Sequence, residues 1–246
     1  MMNIDLLIIF AVGLITSLYG ASVGGAGMII VPTLIFLGLS PQHAIATAIF
    51  AFLGMCIVGL FVYHRGGKTD FRIGIPAAIL GSCGALVGTF LMTSIPSDIL
   101  QKAIGISMLV ILCLLIARRD LGVKKIQDSS IRRIIGYALF LPVGIHSATI
   151  AGGTSIIATY VLLFFFGKTY LESAGTRKIL FFGVNTVGAT MYGSAGLIDW
   201  HYAWVLFIGV AIGSYIGATH ALKKGDKWVR WLFVPVVILS ALKLLV

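Results

Sequence analysis

The sequence predicts an all-α polytopic membrane protein built from two inverted-topology repeats, each with a broken or re-entrant first helix pair followed by three transmembrane helices. Three observations lead there: an extreme apolar composition, self-similarity at a fixed offset, and an opposite placement of basic residues in the two halves. Hydrophobic residues make up 59% of 246 and charged residues 11%, with a mean hydropathy of +1.07. Soluble domains are about half apolar and about a quarter charged. Residues 6–39, 74–95 and 202–218 carry no Asp, Glu, Lys or Arg, and each is long enough for most or all of a bilayer helix. A shorter uncharged run, 134–145, continues past His146.

The formal net charge of +10 does not point to nucleic acid, because the basic residues sit in short loops between apolar runs and form no single stripe. They read as orientation signals. Cys56, Cys83 and Cys113 lie in separate apolar segments without CxxC spacing and read as small buried hydrophobes. The opening MMNIDLLIIFAVGLITSLYG lacks a basic n-region and runs into the repeat, so it is expected to be retained.

Sliding the sequence over itself by 129 positions pairs Gly38 with Gly167, Gly54 with Gly183, Gly59 with Gly188, Gly67 with Gly196, Gly84 with Gly213 and Gly88 with Gly217. Thr47 then meets Thr176 and Asp70 meets Asp199. Six coincident glycines compare with roughly one expected by chance at this glycine content. Shortening the offset by one residue pairs VGGAG at Val23 with AGGTS at Ala151.

Equivalent loops carry opposite charge bias. The loop with Arg65, Lys68 and Arg72 is basic, whereas its counterpart at 197–201 has no Lys or Arg. Lys223, Lys224, Lys227 and Arg230 stand against a segment near Pro96 that offers Lys102, and Lys168, Arg177 and Lys178 stand against a neutral 38–48. By the positive-inside rule such loops lie on opposite membrane faces, as in an inverted repeat. Inversion needs odd parity, and the evident spans of the first half are four: 6–39, 44–63, 73–92 and 99–117. The first resolves this, because its 34 residues would make a helix of about 50 Å against a core of about 30 Å. GASVGGAG interrupts it, and Pro142 with TIAGGTS interrupts its partner at 134–167, so each folds as two short helices. The chain divides into a first transmembrane repeat at 1–117, a basic cytoplasmic linker at 118–133 and a second repeat at 134–246.

Interrupted helices of such repeats meet at a midplane binding site. The tips carry Ser22, Gly24, Gly25 and Gly27 in one half and Gly152, Gly153, Thr154 and Ser155 in the other, each set preceding an apolar half-helix. A helix start presents unpaired N–H groups and partial positive charge, which suits an anion, and glycine allows close approach. All eight acids fall at span ends or loops, so no carboxylate cluster advertises a cation site. Thr47 joins the candidate set. Arg177 reads either as an interfacial charge or as an anion-attracting entrance, Asn185 as ligand contact or helix-packing glue, and His146 as a core histidine or a ligand and proton-handling group. Asp70–Phe71 and Asp199–Trp200 read as N-cap acids followed by aromatic anchors. No HExxH, P-loop, GxSxG or metal-spaced Cys/His set is present. No catalytic residue, metal or cofactor is expected.

The strings GASVGGAGMIIVPTL, AIATAIFAFLG and SAGTRKILFFGVNTVGAT…GLIDW resemble the sulfite exporter TauE/SafE family over about residues 6–244. The resemblance implies a multi-pass bacterial or archaeal inner-membrane exporter of a sulfur-containing anion such as sulfite, sulfoacetate or another organosulfonate. Two places depart from it: Tyr160 stands where Pro32 has its counterpart, and Arg177 with Lys178 replace small or apolar residues after GT. The expected partners are the anionic substrate, the lipid bilayer and a second copy of the chain as a homodimer, without nucleic acid. The alternatives are a transporter or channel for another small ion, or a membrane-embedded enzyme.

The charge pattern places both termini outside and the 118–133 linker in the cytoplasm. Single cysteines at Met2 and Ser129, labelled in intact cells with an impermeant maleimide, are expected to react from opposite faces. Labelling of both from one face would refute the inverted arrangement.

Overall fold

The computed structural model describes residues 2–117 and 130–225. These residues are all-helical: α1 (Met2–Gly20), α2 (Gly27–Phe36), α3 (Pro41–Arg65), α4 (Phe71–Ser94), α5 (Ser97–Ala117), α6 (Ser130–Ala138), α7 (Phe140–Ile150), α8 (Thr154–Phe166), α9 (Tyr170–Ser194) and α10 (Trp200–Lys224). α3, α4, α10 and the run Ser130–Ile150 are each long and apolar enough to cross a membrane, and the pair α8–α9, bent by 116°, makes a fifth such unit. The last expected span of the second half lies outside the described residues, as does most of the linker.

Both expected interruptions exist. α1 ends at Gly20 and α2 begins at Gly27; α7 ends at Ile150 and α8 begins at Thr154. The first break turns on Gly24 (φ +94°) and Gly25 (φ +83°), and the second on Ala151 (φ +58°) and Gly153 (φ +75°). Left-handed backbone ends a helix, and glycine adopts it without a Cβ penalty. Pro142 falls in the first turn of α7, where its missing N–H is harmless, so the glycines and not the proline make this break.

Large side chains face outward: Phe90 is 72% exposed, Leu7 68% and Ile106 62%. In water such a surface would be unstable; against lipid it is the expected outside of a spanning bundle. The interior is packed through small residues. A Cβ on Gly84 would lie 2.1 Å from the Leu141 carbonyl oxygen of α7, and one on its repeat mate Gly213 would lie 2.3 Å from that of Leu14 in α1. Gly88 and Gly217 repeat the pattern one turn on, against Ile145 at 2.5 Å and Leu18 at 2.0 Å. So α4 receives α7, and α10 receives α1: each half's third unit holds the other half's broken segment. Backbones this close gain dispersion contacts that larger residues would block.

The equivalent helices α3 and α9 pack together and run antiparallel. The Asp70 N–H, just past the end of α3, donates to Thr176 Oγ1 near the start of α9 at 3.1 Å, and the Asp199 N–H, past the end of α9, donates to Thr47 Oγ1 near the start of α3 at 3.0 Å. Cys56 and Asn185, one repeat apart, meet each other, with Asn185 Nδ2 3.7 Å from the sulfur. Asp70 and Asp199 cap α4 and α10 as expected, each accepting two backbone N–H groups.

Basic loops gather at one end of the bundle. Lys168 Nζ bonds Asp70 Oδ2 at 2.6 Å, Tyr137 of the segment bearing Arg132 and Arg133 reaches the Arg72 carbonyl at 3.5 Å, and Leu222, beside Lys223, packs on Gly66. At the opposite end Gln42 meets Ile95 and Ser97, and Thr47 meets Asp199.

Two packing variants test the glycine seams. Gly84→Ala and Gly217→Ala force backbone apart and are each expected to cost about 1–3 kcal/mol, whereas Gly105→Ala, with nothing within 4 Å of its Cβ, should change stability by less than about 0.5 kcal/mol. Thermal unfolding in detergent measures the three. Equal stability of all three would mean that the seams are looser than described.

Candidate functional site

The two breaks touch. The Gly25 N–H donates to Ser155 Oγ at 2.9 Å, and a Cβ on Gly27 would lie 2.4 Å from the Ala151 carbonyl oxygen. Residues 21–28 are all buried, as are 151–154. Here α2 and α8 begin with no side-chain cap on their first N–H groups. By contrast α3, α4, α9 and α10 are capped by Ser40, Asp70, Thr169 and Asp199. The Met28, Ile29 and Ile156 N–H groups close turns onto the Gly25, Ala26 and Gly153 carbonyls, and the partial positive charge of both buried starts remains at the junction.

Arg177 joins the two breaks. Read from the sequence as an interfacial charge or an anion-attracting entrance, it is instead 1% exposed. Its Nη1 donates to the Val23 carbonyl at 3.0 Å, the Ser155 carbonyl at 3.1 Å and Thr159 Oγ1 at 2.6 Å; its Nη2 reaches the carbonyls of Gly20, Ala21 and Ser22 at 3.3, 3.2 and 2.9 Å. The carbonyls of residues 20–23 form the negative end of α1 and the turn that follows it, with that of Gly20 also accepting the Gly24 N–H, so a planar cation suits them. The entrance role is therefore corrected: both terminal nitrogens are committed to protein acceptors. The repeat mate of Arg177 is Ala48, and the corresponding end of α7 is served differently, with Tyr192 donating to the Ala148 carbonyl at 2.7 Å. Tyr63, the mate of Tyr192, is buried with its hydroxyl unpartnered among the described residues.

The remaining expected residues divide. Gly24 lies against Ser155 and Arg177, where a Cβ would approach Ser155 Oγ to 2.7 Å and Arg177 Nη1 to 2.8 Å. Thr154 Oγ1 hydrogen-bonds His146 Nδ1 at 2.7 Å, and His146 Nε2 hydrogen-bonds Ser107 Oγ at 2.6 Å, so His146 ties α5 to the second break. The Ser22 hydroxyl turns back to the Tyr19 carbonyl, and Gly152 closes a tight turn onto the Ile150 carbonyl. Thr47 departs from expectation, since its hydroxyl pins the Asp199 loop at the end of α9. Asn185 meets Cys56 in the α3–α9 contact, the packing role. Lys178, outside the expected set, is 2% exposed; its sequence signals are its apolar mate Ile49 and its place after GT, where the resemblance implies a small or apolar residue.

No Asp or Glu is among the buried residues described, and no group of three or more metal-ligating side chains occurs among them. At the basic end a cavity of about 420 Å³ is lined by Lys68, Asp70, Arg72, Lys168 and Glu172. Burial alone would push the Asp70 carboxyl up, but the Lys168 ammonium and the N–H groups of Ile73 and Arg72 hold it below the usual carboxylate range.

The family model described as sulfite exporter TauE/SafE matches residues 9–244. A probable membrane transporter protein of Haemophilus influenzae is 27% identical over 97% of this chain and 92% of its own length. The probable membrane transporter protein ORF9 of a Sinorhizobium species is 26% identical over 96% and 91%, and YfcA of Escherichia coli, also described as a probable membrane transporter protein, is 24% identical over 97% and 88%. No solved structure matches the chain.

Arg177→Met leaves the α1 carbonyls without their cation and is expected to destabilise the protein by about 3 kcal/mol or more. Arg177→Lys should restore little, because one ammonium cannot span acceptors arranged around two nitrogens. Thermal unfolding and hydrogen exchange over residues 20–28 read the effect; wild-type protection in Arg177→Met would remove the assigned role.

Proposed function

We propose that this chain, which belongs to the sulfite exporter TauE/SafE family, exports a small sulfur-containing anion such as sulfite, sulfoacetate or another organosulfonate across a prokaryotic inner membrane. It is an integral multi-pass membrane transporter and not an enzyme. One observation carries the choice of an anion: the uncapped starts of α2 and α8 meet in the buried interior beside a guanidinium, with no buried carboxylate among the described residues. Such a place repels cations, and it offers backbone N–H groups and hydroxyls to oxyanion oxygens.

The route follows the charge. The basic end faces the cytoplasm by the positive-inside rule, and its cavity with Lys68, Arg72 and Lys168 raises the local concentration of anions there. Tyr170 opens α9 at that end, and Arg177 lies seven residues, about 10 Å, farther along the helix. Alternating access is then a rocking of the two inverted halves about the junction. Tight seams through Gly84, Gly88, Gly213 and Gly217 let each broken segment move as one body with its receiving helix. Backbone dipoles without a direct full charge bind moderately, which favours release. A homodimer in the bilayer is the proposed assembly.

Purified protein is expected to melt at higher temperature with sulfite or sulfoacetate and to be indifferent to exchange of sodium for potassium. Gly153→Leu should abolish that stabilisation and the corresponding flux in proteoliposomes, since Gly153 sits at φ +75° at the start of α8. Thr154→Ala should weaken binding by about 1–3 kcal/mol. Unchanged sulfite and organosulfonate handling by Gly153→Leu would place the site elsewhere.

A further inference from the structure

Lys178 lies next to Arg177 in sequence but on another side of α9, in the seam where α3, α9 and α10 meet. It is 2% exposed, its electrostatic neighbour on α3 is the Cys56 thiol, and no Asp or Glu is among the buried residues described. Its chain packs on Gly59: a Cβ there would stand 2.7 Å from Lys178 Cε and 3.0 Å from Ser214 Oγ. Ser214 is held by its bond to the Met55 carbonyl at 3.0 Å. Two turns along the same face of α9, Asn185 has an amide nitrogen whose contact is the sulfur of Cys56, a weak acceptor at 3.7 Å.

The repeat makes this seam unusual. The mates of Lys178, Asn185 and Ser214 are Ile49, Cys56 and Ala85. At the symmetry-equivalent place Gly188 packs on Ile49, as Gly59 packs on Lys178. The backbone frame is therefore present twice, and polar groups occupy it once. Packing alone is satisfied by the apolar set, so the polar set needs another reason. An ammonium in a low-dielectric interior is costly unless an anion accompanies it. Arg177 is answered by carbonyls, whereas Lys178 has a neutral thiol beside it, and among the described residues no buried carboxylate is available.

We propose that Lys178 anchors a second anion station, in the α3–α9–α10 seam, for a small inorganic anion such as chloride, sulfite or sulfate, with the Asn185 amide as an added donor. The station is single and one-sided because its charge exists in one repeat only. Small size follows from the seam, where Lys178 and Ser214 both close on Gly59. The inference rests on the anion-transport reading above but not on the helix breaks as the ligand contact, so the two can fail separately.

The test is thermal stability of the purified wild type, Lys178→Met, Asn185→Leu and Gly153→Leu in gluconate buffer, titrated with sodium chloride, sulfite or sulfate. Lys178→Met should raise the melting temperature in gluconate alone, because an unanswered buried charge is gone. It should also require about tenfold or more anion for the same stabilisation, the size of a lost charged hydrogen bond. Asn185→Leu keeps the charge and should show a smaller shift of the same sign, which guards against a misfolded lysine variant. Wild-type anion dependence in both Lys178→Met and Asn185→Leu would overturn the second station, and loss of it in Gly153→Leu would then leave the junction site standing. A wild type stabilised by none of these anions, nor by sulfoacetate, would overturn both.

Discussion

Arg177 carries its charge into the middle of a lipid-facing bundle, and the chain answers it by turning four consecutive carbonyls at the end of α1 toward one guanidinium. Everything at the centre depends on that answer. An α-helix that stops inside a membrane leaves acceptors that water cannot reach, and each costs free energy if unmet. The guanidinium meets them, and by donating to Ser155 and Thr159 as well it fixes the second break against the first. The break in α1 can therefore lie deep in the fold, where an ordinary loop could not.

Seen from this centre, the two halves are a shared frame with unequal fittings. Glycines repeat where backbones touch, threonines repeat where they hold the opposite loop, and capping aspartates repeat where α4 and α10 begin. The end of α7, however, is met by Tyr192, and the end of α1 by Arg177. Symmetry sets the scaffold because packing distances leave no choice. Asymmetry enters where charge is introduced, because the buried Arg177 and Lys178 have the apolar mates Ala48 and Ile49.

The helix breaks were legible because GASVGGAG and TIAGGTS interrupt apolar runs too long for one span, and the N-caps because an acid precedes an aromatic at each interface. The site was legible only in part. The tips were named correctly as places that meet, since the repeat equates them. Arg177 was read as an interfacial or entrance charge because a charge near a predicted span end ordinarily snorkels to water. Thr47 was grouped with the candidate ligand contacts, and its pairing with Thr176 did not say that each threonine holds the loop after its counterpart helix.

By itself the sequence determined the lipid-facing composition, the order of spans, the duplicated frame and the absence of acids from the apolar segments, because these depend on residue type and on distance along the chain. The tertiary structure decided which charges are buried and what answers them. Arg177 and Lys178 are adjacent and both cationic, yet neighbours on a helix point about 100° apart. One falls against the carbonyls of a broken helix, and the other against a glycine, a serine and a thiol, with no carboxylate among the described buried residues. That difference is made by α1, α3 and α10 arriving from distant parts of the chain, and no local pattern encodes it.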